Sequence, residues 1–180
     1  IGTSGTPLIT QVSQFEADAG MGGTGGIFIT NTGPLTANDV NGYGDVTIIA
    51  NSPLTIGTGG VQSILGNINL TAGATGPGVT TDILTLNGPL TATGAPPGGN
   101  ITLSAGNEII KNSTITVRPL GSYPAGTLTE YANLNGPAPP PTCYGGQYWD
   151  GSACVCPTGQ SLIGGTCGPC PTGQQLVGNA

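Results

Sequence analysis

The chain has 180 residues with a net charge of −6; 34 are glycine, 16 are proline, only 2 are lysine or arginine and none is histidine. Helix surfaces are normally coated with Lys, Arg and Glu, so this composition argues against a helical or α/β enzyme domain, while the many Ile, Leu, Val and Thr residues argue against disorder. Two cations cannot neutralise nucleic-acid phosphates or an anionic membrane surface, and no apolar run approaches the ~20 residues of a membrane-spanning helix. We therefore expect an all-β chain with no nucleic-acid partner and no membrane span.

Residues 1–117 repeat two short cassettes. The first is Gly-(Asn/Asp)-(Val/Ile)-x-(Ile/Leu), present as GDVTI, GNINL and GNITL. The second is Pro-Leu-Thr, which begins at Pro34, Pro53 and Pro89, so its copies are 19 and 36 residues apart. Because the second interval is close to twice the first, the spacing predicts a period of about 18 to 19 residues.

Each first cassette alternates apolar and polar residues, which is typical of a strand with one buried face. Glycine, asparagine and proline between the cassettes permit sharp corners. A lone turn of such strands cannot pair its own backbone groups, whereas stacked turns supply parallel hydrogen bonds to one another. The pattern predicts a β-solenoid of roughly six turns over residues 1–117, with these side chains pointing inward: Val46, Ile48, Ile68, Leu70, Ile101 and Leu103.

The next two segments lose both cassettes. We interpret residues 118–135 as an irregular last coil or as a cap over the open end of the stack, where unpaired strand edges invite aggregation. Residues 136–142, GPAPPPT, form a proline-rich linker with the composition of a polyproline II spacer. The linker predicts a domain boundary.

Residues 143–180 contain three copies of a unit that starts with cysteine: CYGGQYWDGSAC, CPTGQSLIGGTC and CPTGQQLVGNA. The copies share Gly-Gln in the fourth and fifth places, and the two complete copies end in cysteine. We predict the disulfides Cys143–Cys154 and Cys156–Cys167, with Cys170 unpaired or joined to a residue that follows this sequence. The incomplete third unit and the lack of an initiating Met or signal peptide predict an excerpt from a longer chain.

A structural zinc site is the alternative for the same cysteines. Four thiolates spaced C-x-C and C-x-x-C suit tetrahedral zinc, and the residues concerned are Cys154, Cys156, Cys167 and Cys170. This alternative ignores Cys143 and the self-similarity of the units. Units this small bury little core and depend on cross-links, and disulfides persist only in oxidising compartments. We therefore expect a secreted protein or one at the bacterial cell surface.

Two stretches carry a resemblance to a known family. The opening IGTSGTPLITQVSQFEADAGMGGTGGIFITNTGPLTAND and the later GGNITLSAGNEI resemble the repeat regions of bacterial filamentous-haemagglutinin-like exoproteins, the large adhesins of two-partner secretion. The resemblance covers residues 1–117. It implies a right-handed parallel β-helix, export through an outer-membrane partner transporter, and roles in attachment, aggregation or cell–cell contact through cell-surface glycans or proteins.

Two other functions stay open. A self-assembling extracellular filament is one, because stacked turns have pairing edges at both ends and Cys170 is available to bridge subunits. A polysaccharide-active β-helix enzyme is the other, and it needs a base or grouped carboxylates. The candidate bases are Lys111 and Arg118, and the candidate acids are Glu16, Asp18, Asp39, Asp45, Asp82, Glu108, Glu130 and Asp150. Only Glu16 and Asp18 are close enough in sequence to share a strand face, so we expect no catalytic site, no cofactor and no metal.

Overall fold

The computed structural model describes residues 1–20, 25–51, 53–73, 79–94, 99–119, 125–134, 147–149, 154–156, 160–163 and 166–169. Every regular element in these ranges is a β-strand. The chain divides into two compact units, Ile1–Ala138 and Pro139–Ala180. The division falls inside the segment 136–142 that the sequence marks as a linker.

The strands of the first unit form two sheets, and neighbouring strands in both are parallel. The first sheet contains, in order across the sheet, β1 (Leu8–Thr10), β3 (Ile27–Asn31), β5 (Val46–Ala50), β8 (Ile68–Ala72), β11 (Ile101–Ala105) and β14 (Leu128–Tyr131). The second sheet contains β2 (Gln14–Asp18), β4 (Leu35–Gly42), β6 (Leu54–Ile56), β7 (Val61–Ser63), β9 (Ile83–Leu86), β10 (Leu90–Gly94), β12 (Glu108–Lys111) and β13 (Ile115–Pro119).

The chain alternates between these sheets along its whole first unit. Each strand of the first sheet is followed by one or two strands of the second, until β14. We call one such set a layer and number the layers 1 to 6, from β1 to β14. Each return to the first sheet therefore adds a strand next to the previous one.

The second sheet divides into two columns beyond β4. The first half of β4 pairs with β6, with Leu35 opposite Leu54, and its second half pairs with β7, with Val40 opposite Val61. Gly60 lies between β6 and β7 with a φ of 80°, a backbone conformation that costs little only for glycine. One column then continues through β9 and β12, and the other through β10 and β13.

Alternating side chains build one hydrophobic core in the first unit. The strands of the middle layers bury every second residue. All six positions predicted to point inward are 0% exposed, which confirms that prediction: Val46, Ile48, Ile68, Leu70, Ile101 and Leu103. The strand register stacks these side chains on one another from layer to layer. For example, Leu70 lies between Ile48 and Leu103. The predicted stacking of Ile, Leu and Val inside is therefore present.

The predicted period of about 18 to 19 residues is wrong. Register partners in the first sheet are 21, 19, 22, 33 and 27 residues apart, in the pairs Leu8–Ile29, Ile27–Val46, Val46–Ile68, Ile68–Ile101 and Ile101–Leu128. The third Pro-Leu-Thr cassette misled the count, because Leu90 pairs with Val61 in the other column rather than above Leu54. Hydrogen bonds hold the strands in register, and the residues beyond the predicted period lie in the segments between strands.

Residues 118–135 contain a layer of their own. Strand β14 pairs in parallel with β11, with Leu128 opposite Ile101. Residues 126–130, GTLTE, occupy the register position of the first cassette, with Thr127 bonded to Asn100 and Leu128 opposite Ile101. Only Gly126 matches the sequence of the cassette, so the sequence gives no sign of this layer.

The second unit contains two short antiparallel pairs among its described residues. Strand β15 (Tyr148–Trp149) pairs with β16 (Cys154–Val155). Strand β17 (Gln160–Ile163) pairs with β18 (Thr166–Pro169), which places Leu162 opposite Cys167. Each pair overlaps one predicted cysteine unit, although β16 extends one residue past Cys154 and β18 extends two residues past Cys167.

Candidate functional site

Glu16 and Asp18 lie on the same exposed side of β2, as their spacing indicates. Asp18 is opposite Asn41 of β4 in the register. Its Oδ1 accepts a hydrogen bond from the backbone N–H of Gly20 at 2.7 Å, so this carboxylate also closes a turn. These two acids are the only pair that the sequence placed together, and they lie in layer 1.

The other candidate acids are dispersed. Asp39 Oδ1 accepts a hydrogen bond from the Asn41 side chain at 2.8 Å. Asp82 is buried, whereas Glu108 is exposed on β12. Asp150 lies outside the described residues. Within the described ranges, no group of three or more His, Cys, Asp or Glu side chains is arranged to hold a metal ion. Asp18 and Asp39 thus serve as acceptors for nearby backbone and amide groups.

The two candidate bases lie far from the paired acids. Lys111 and Arg118 belong to layer 5, and four layer spacings from layer 1 amount to about 19 Å. Lys111 Nζ donates to both carboxylate oxygens of Glu130, at 2.9 and 2.8 Å. Lys111 and the Glu16–Asp18 pair are therefore too far apart to act on one sugar bond, which would need groups a few ångströms from the reacting atoms. The structure instead brings Lys111 together with a different candidate acid, Glu130.

A column of polar side chains runs along the outer side of the second sheet. Asp18, Asn41 and Gln62 are register partners in layers 1, 2 and 3, so their carboxylate and amide groups are spaced by about 4.8 Å. Together with Tyr43 they line a surface pocket of about 200 Å³. We call these four residues the outer polar column. It offers hydrogen-bond donors, acceptors and one aromatic ring to a ligand.

A second polar column, which we call the amide ladder, joins layers 3 to 6. Asp45 Oδ1 accepts from the backbone and side-chain N–H groups of Asn67 at 2.8 and 3.1 Å. Asn67 Oδ1 accepts in the same way from Asn100 at 2.9 and 3.1 Å, and Asn100 Oδ1 accepts from Thr127 N–H at 2.8 Å. The Asn/Asp position of the first cassette signals this ladder, although its layer-to-layer bonding is visible only in the structure.

Replacing Asn67 with alanine is expected to destabilise the first unit by about 1–3 kcal/mol, because the Asn100 N–H loses its acceptor in a partly buried place. Urea unfolding followed by circular dichroism measures this change. Asn112→Ala is the matched control, since its exposed side chain makes a single bond to Asn87 at 2.9 Å, and we expect less than about 0.5 kcal/mol. Equal losses from both variants would show that the ladder adds no stability.

The tail contains one disulfide among its described residues, between Cys156 and Cys167, whose Cα atoms are 5.5 Å apart. It is one of the two predicted pairs. Cys143 and Cys170 lie outside the described residues, so the Cys143–Cys154 pair stays a prediction. The zinc alternative needs thiolates at Cys156 and Cys167, and sulfurs joined in a disulfide do not supply them.

In the described part of the chain, no helix has the length and apolarity that a membrane crossing requires. Comparison with known proteins adds no family assignment. The chain matches no protein-family model, and no curated protein and no solved structure is significantly similar to it.

Proposed function

We propose that this chain is a non-catalytic structural segment of an extracellular bacterial adhesin or surface fibre, with a role in attachment, aggregation or contact between cells. The observation that carries the proposal is the unbroken series of parallel pairings from β1 to β14, in which every layer is hydrogen-bonded to the next. Bending such a stack strains many backbone hydrogen bonds at once. It is therefore stiff, which suits a fibre that holds a binding surface away from a cell.

The finer architecture in this proposal is a right-handed parallel β-helix, followed by a proline-rich linker and disulfide-looped cysteine repeats. Alternation of the chain between two parallel sheets around one core supports the helix. Connections between parallel strands of one sheet are right-handed in about 98% of known cases, which supports the hand. The cysteine pairing in the tail supports the looped repeats.

The same features support the proposed export and location. The Cys156–Cys167 disulfide favours an oxidising compartment and hence a secreted or surface-bound chain. Each layer contacts mainly its neighbours, so the stack is able to fold layer by layer after passing through a pore. The partner for that step is the outer-membrane transporter that the resemblance to two-partner adhesins implies.

The outer polar column is the contact surface in this proposal. Its carboxylate and amides form a row that can hydrogen-bond to the hydroxyl groups of a cell-surface glycan or the polar groups of a surface protein, and Tyr43 supplies an apolar face beside them. Asn41 is held in place by its bond to Asp39, which reduces the entropy lost when a ligand binds.

The test coats beads with the full chain and counts beads attached to target cells. Asn41→Ala/Gln62→Ala is expected to reduce attachment affinity about 30-fold, because the double variant loses two hydrogen bonds of roughly 1 kcal/mol each. Thr47→Ala/Asn69→Ala is the matched control, since these two residues are register partners on the outer side of the first sheet. We expect the control to attach like the unmodified chain.

Two results would contradict the proposal. The first result combines two observations. The purified chain cleaves a polysaccharide, measured as the release of reducing ends, and source cells that lack the parent protein attach as well as before. The second result is equal attachment by beads coated with the unmodified chain and by beads that carry no protein. Equal loss from both double variants would keep the adhesive function and reject only the outer polar column.

A further inference from the structure

The two residues of the Lys111–Glu130 ion pair occupy core positions of the stack. Glu130 is the register partner of Leu103, and Lys111 is the register partner of Leu86. Both leucines are 0% exposed. Paired positions in parallel strands point to the same side of the sheet, so both charged side chains point toward the space between the sheets.

The contact itself confirms that direction. Lys111 belongs to β12 of the second sheet and Glu130 to β14 of the first, so their side chains can meet only across the end of the core. They meet through two bonds of 2.9 and 2.8 Å, and their side chains stay 44% and 32% exposed. An ion pair thus lies at the place where the deeper layers have two leucines.

We propose that the Lys111–Glu130 pair is an end cap that closes this end of the stack to any further β layer, including one from a second copy of the chain. A layer added here would remove both charges from water, and the ion pair recovers only part of that desolvation cost. Inward-pointing charges protect sheet edges against pairing in this way. In the single chain the two charges satisfy each other and stay hydrated.

Both ends of the stack expose one inward leucine, Leu128 beside the ion pair and Leu8 at the other end, but only the first end has inward charges. The inward positions of layer 1 that pair with Ile29, Ala37 and Val40 are Leu8, Phe15 and Ala17. None of the three is charged, and Leu8 is exposed. Head-to-tail stacking of two copies would place this apolar end against the ion pair, so the cap opposes growth of a filament by layer-on-layer addition.

The test replaces the cap with the residues of the deeper layers, as Lys111→Leu/Glu130→Leu in the full chain. Sedimentation velocity is expected to show a rise in mass of about two-fold or more at concentrations where the unmodified chain stays a monomer. Glu108→Leu/Thr129→Leu is the matched control, because it adds the same side chains to outward positions of the same two strands. The charge-swapped pair Lys111→Glu/Glu130→Lys keeps a cap, and both of these variants are expected to stay monomeric.

A leucine variant that keeps its β circular dichroism and stays monomeric would overturn the proposal. Association of the outward-facing control to the same extent would also overturn it, since general hydrophobicity would then explain the result. Hydrogen exchange in the unmodified chain gives a second test that does not depend on variant folding. The relevant amides are those of β14 that are not hydrogen-bonded to β11. Their fast exchange at every protein concentration supports the cap, and protection that grows with protein concentration overturns it.

Discussion

Replacing Leu70 with aspartate is expected to abolish cooperative folding of the first unit at neutral pH. Leu70 is fully buried between Ile48 and Leu103 in adjacent layers. Removing a buried leucine side chain costs about 2–5 kcal/mol, and burying an unpaired carboxylate adds several kcal/mol more. Domains are typically stable by only about 5–15 kcal/mol. Far-ultraviolet circular dichroism and urea titration measure the loss.

The adjacent residue provides the control for this prediction. Thr71 points to the other side of β8 and is half-buried on the outer surface. Thr71→Asp introduces the same carboxylate one residue away, and we expect a change of at most about 1 kcal/mol. A similar loss from both substitutions would contradict the assignment of the two faces of β8.

Replacing Gly88 with alanine is expected to destabilise the first unit by about 3 kcal/mol, at the upper end of the usual cost of overpacking. A Cβ atom at Gly88 would clash with the carbonyl oxygen of Gly57 and would lie 2.6 Å from the backbone nitrogen of Gly60. Backbone atoms held in register by the layers cannot move aside as a flexible side chain can. Chemical denaturation with circular dichroism detection gives the free energy of unfolding.

Gly25→Ala is the control for this substitution, because no heavy atom lies within 4 Å of a Cβ built there. Its effect is expected to stay within about 0.5 kcal/mol. If Gly88→Ala unfolded at the same urea concentration as the unmodified chain, Gly88 would not lie as close to the backbone of Gly57 and Gly60 as the structure shows.

The inward-facing residues were predictable because alternation is a local property. In GDVTI, GNINL and GNITL, the period of two already separates the two faces of each strand. Burial of Val46 and Ile48 follows from that pattern without knowledge of the neighbouring layer. The outer position of Glu16 and Asp18 was predictable for the same reason.

Which strand lies above which was not predictable from the cassettes. Pro-Leu-Thr marks the start of β4, β6 and β10, yet Leu54 is opposite Leu35 while Leu90 belongs to the other column. A strand with one apolar face fits any position that offers an unpaired neighbour, so a short motif does not determine its column. The end cap was similarly hidden, because Glu130 is visible as a core position only once its pairing with Leu103 is known.

Unequal corner lengths have a consequence for how this protein can change. Ten residues separate β8 from β9, whereas three separate β5 from β6, and yet β9 pairs in register with β6. The backbone pairing of the strands thus leaves the length of the corners almost unconstrained, since longer loops cost little additional closure entropy. Evolution can lengthen a corner, or an engineer can graft a foreign peptide into it, while the strands on either side keep their register.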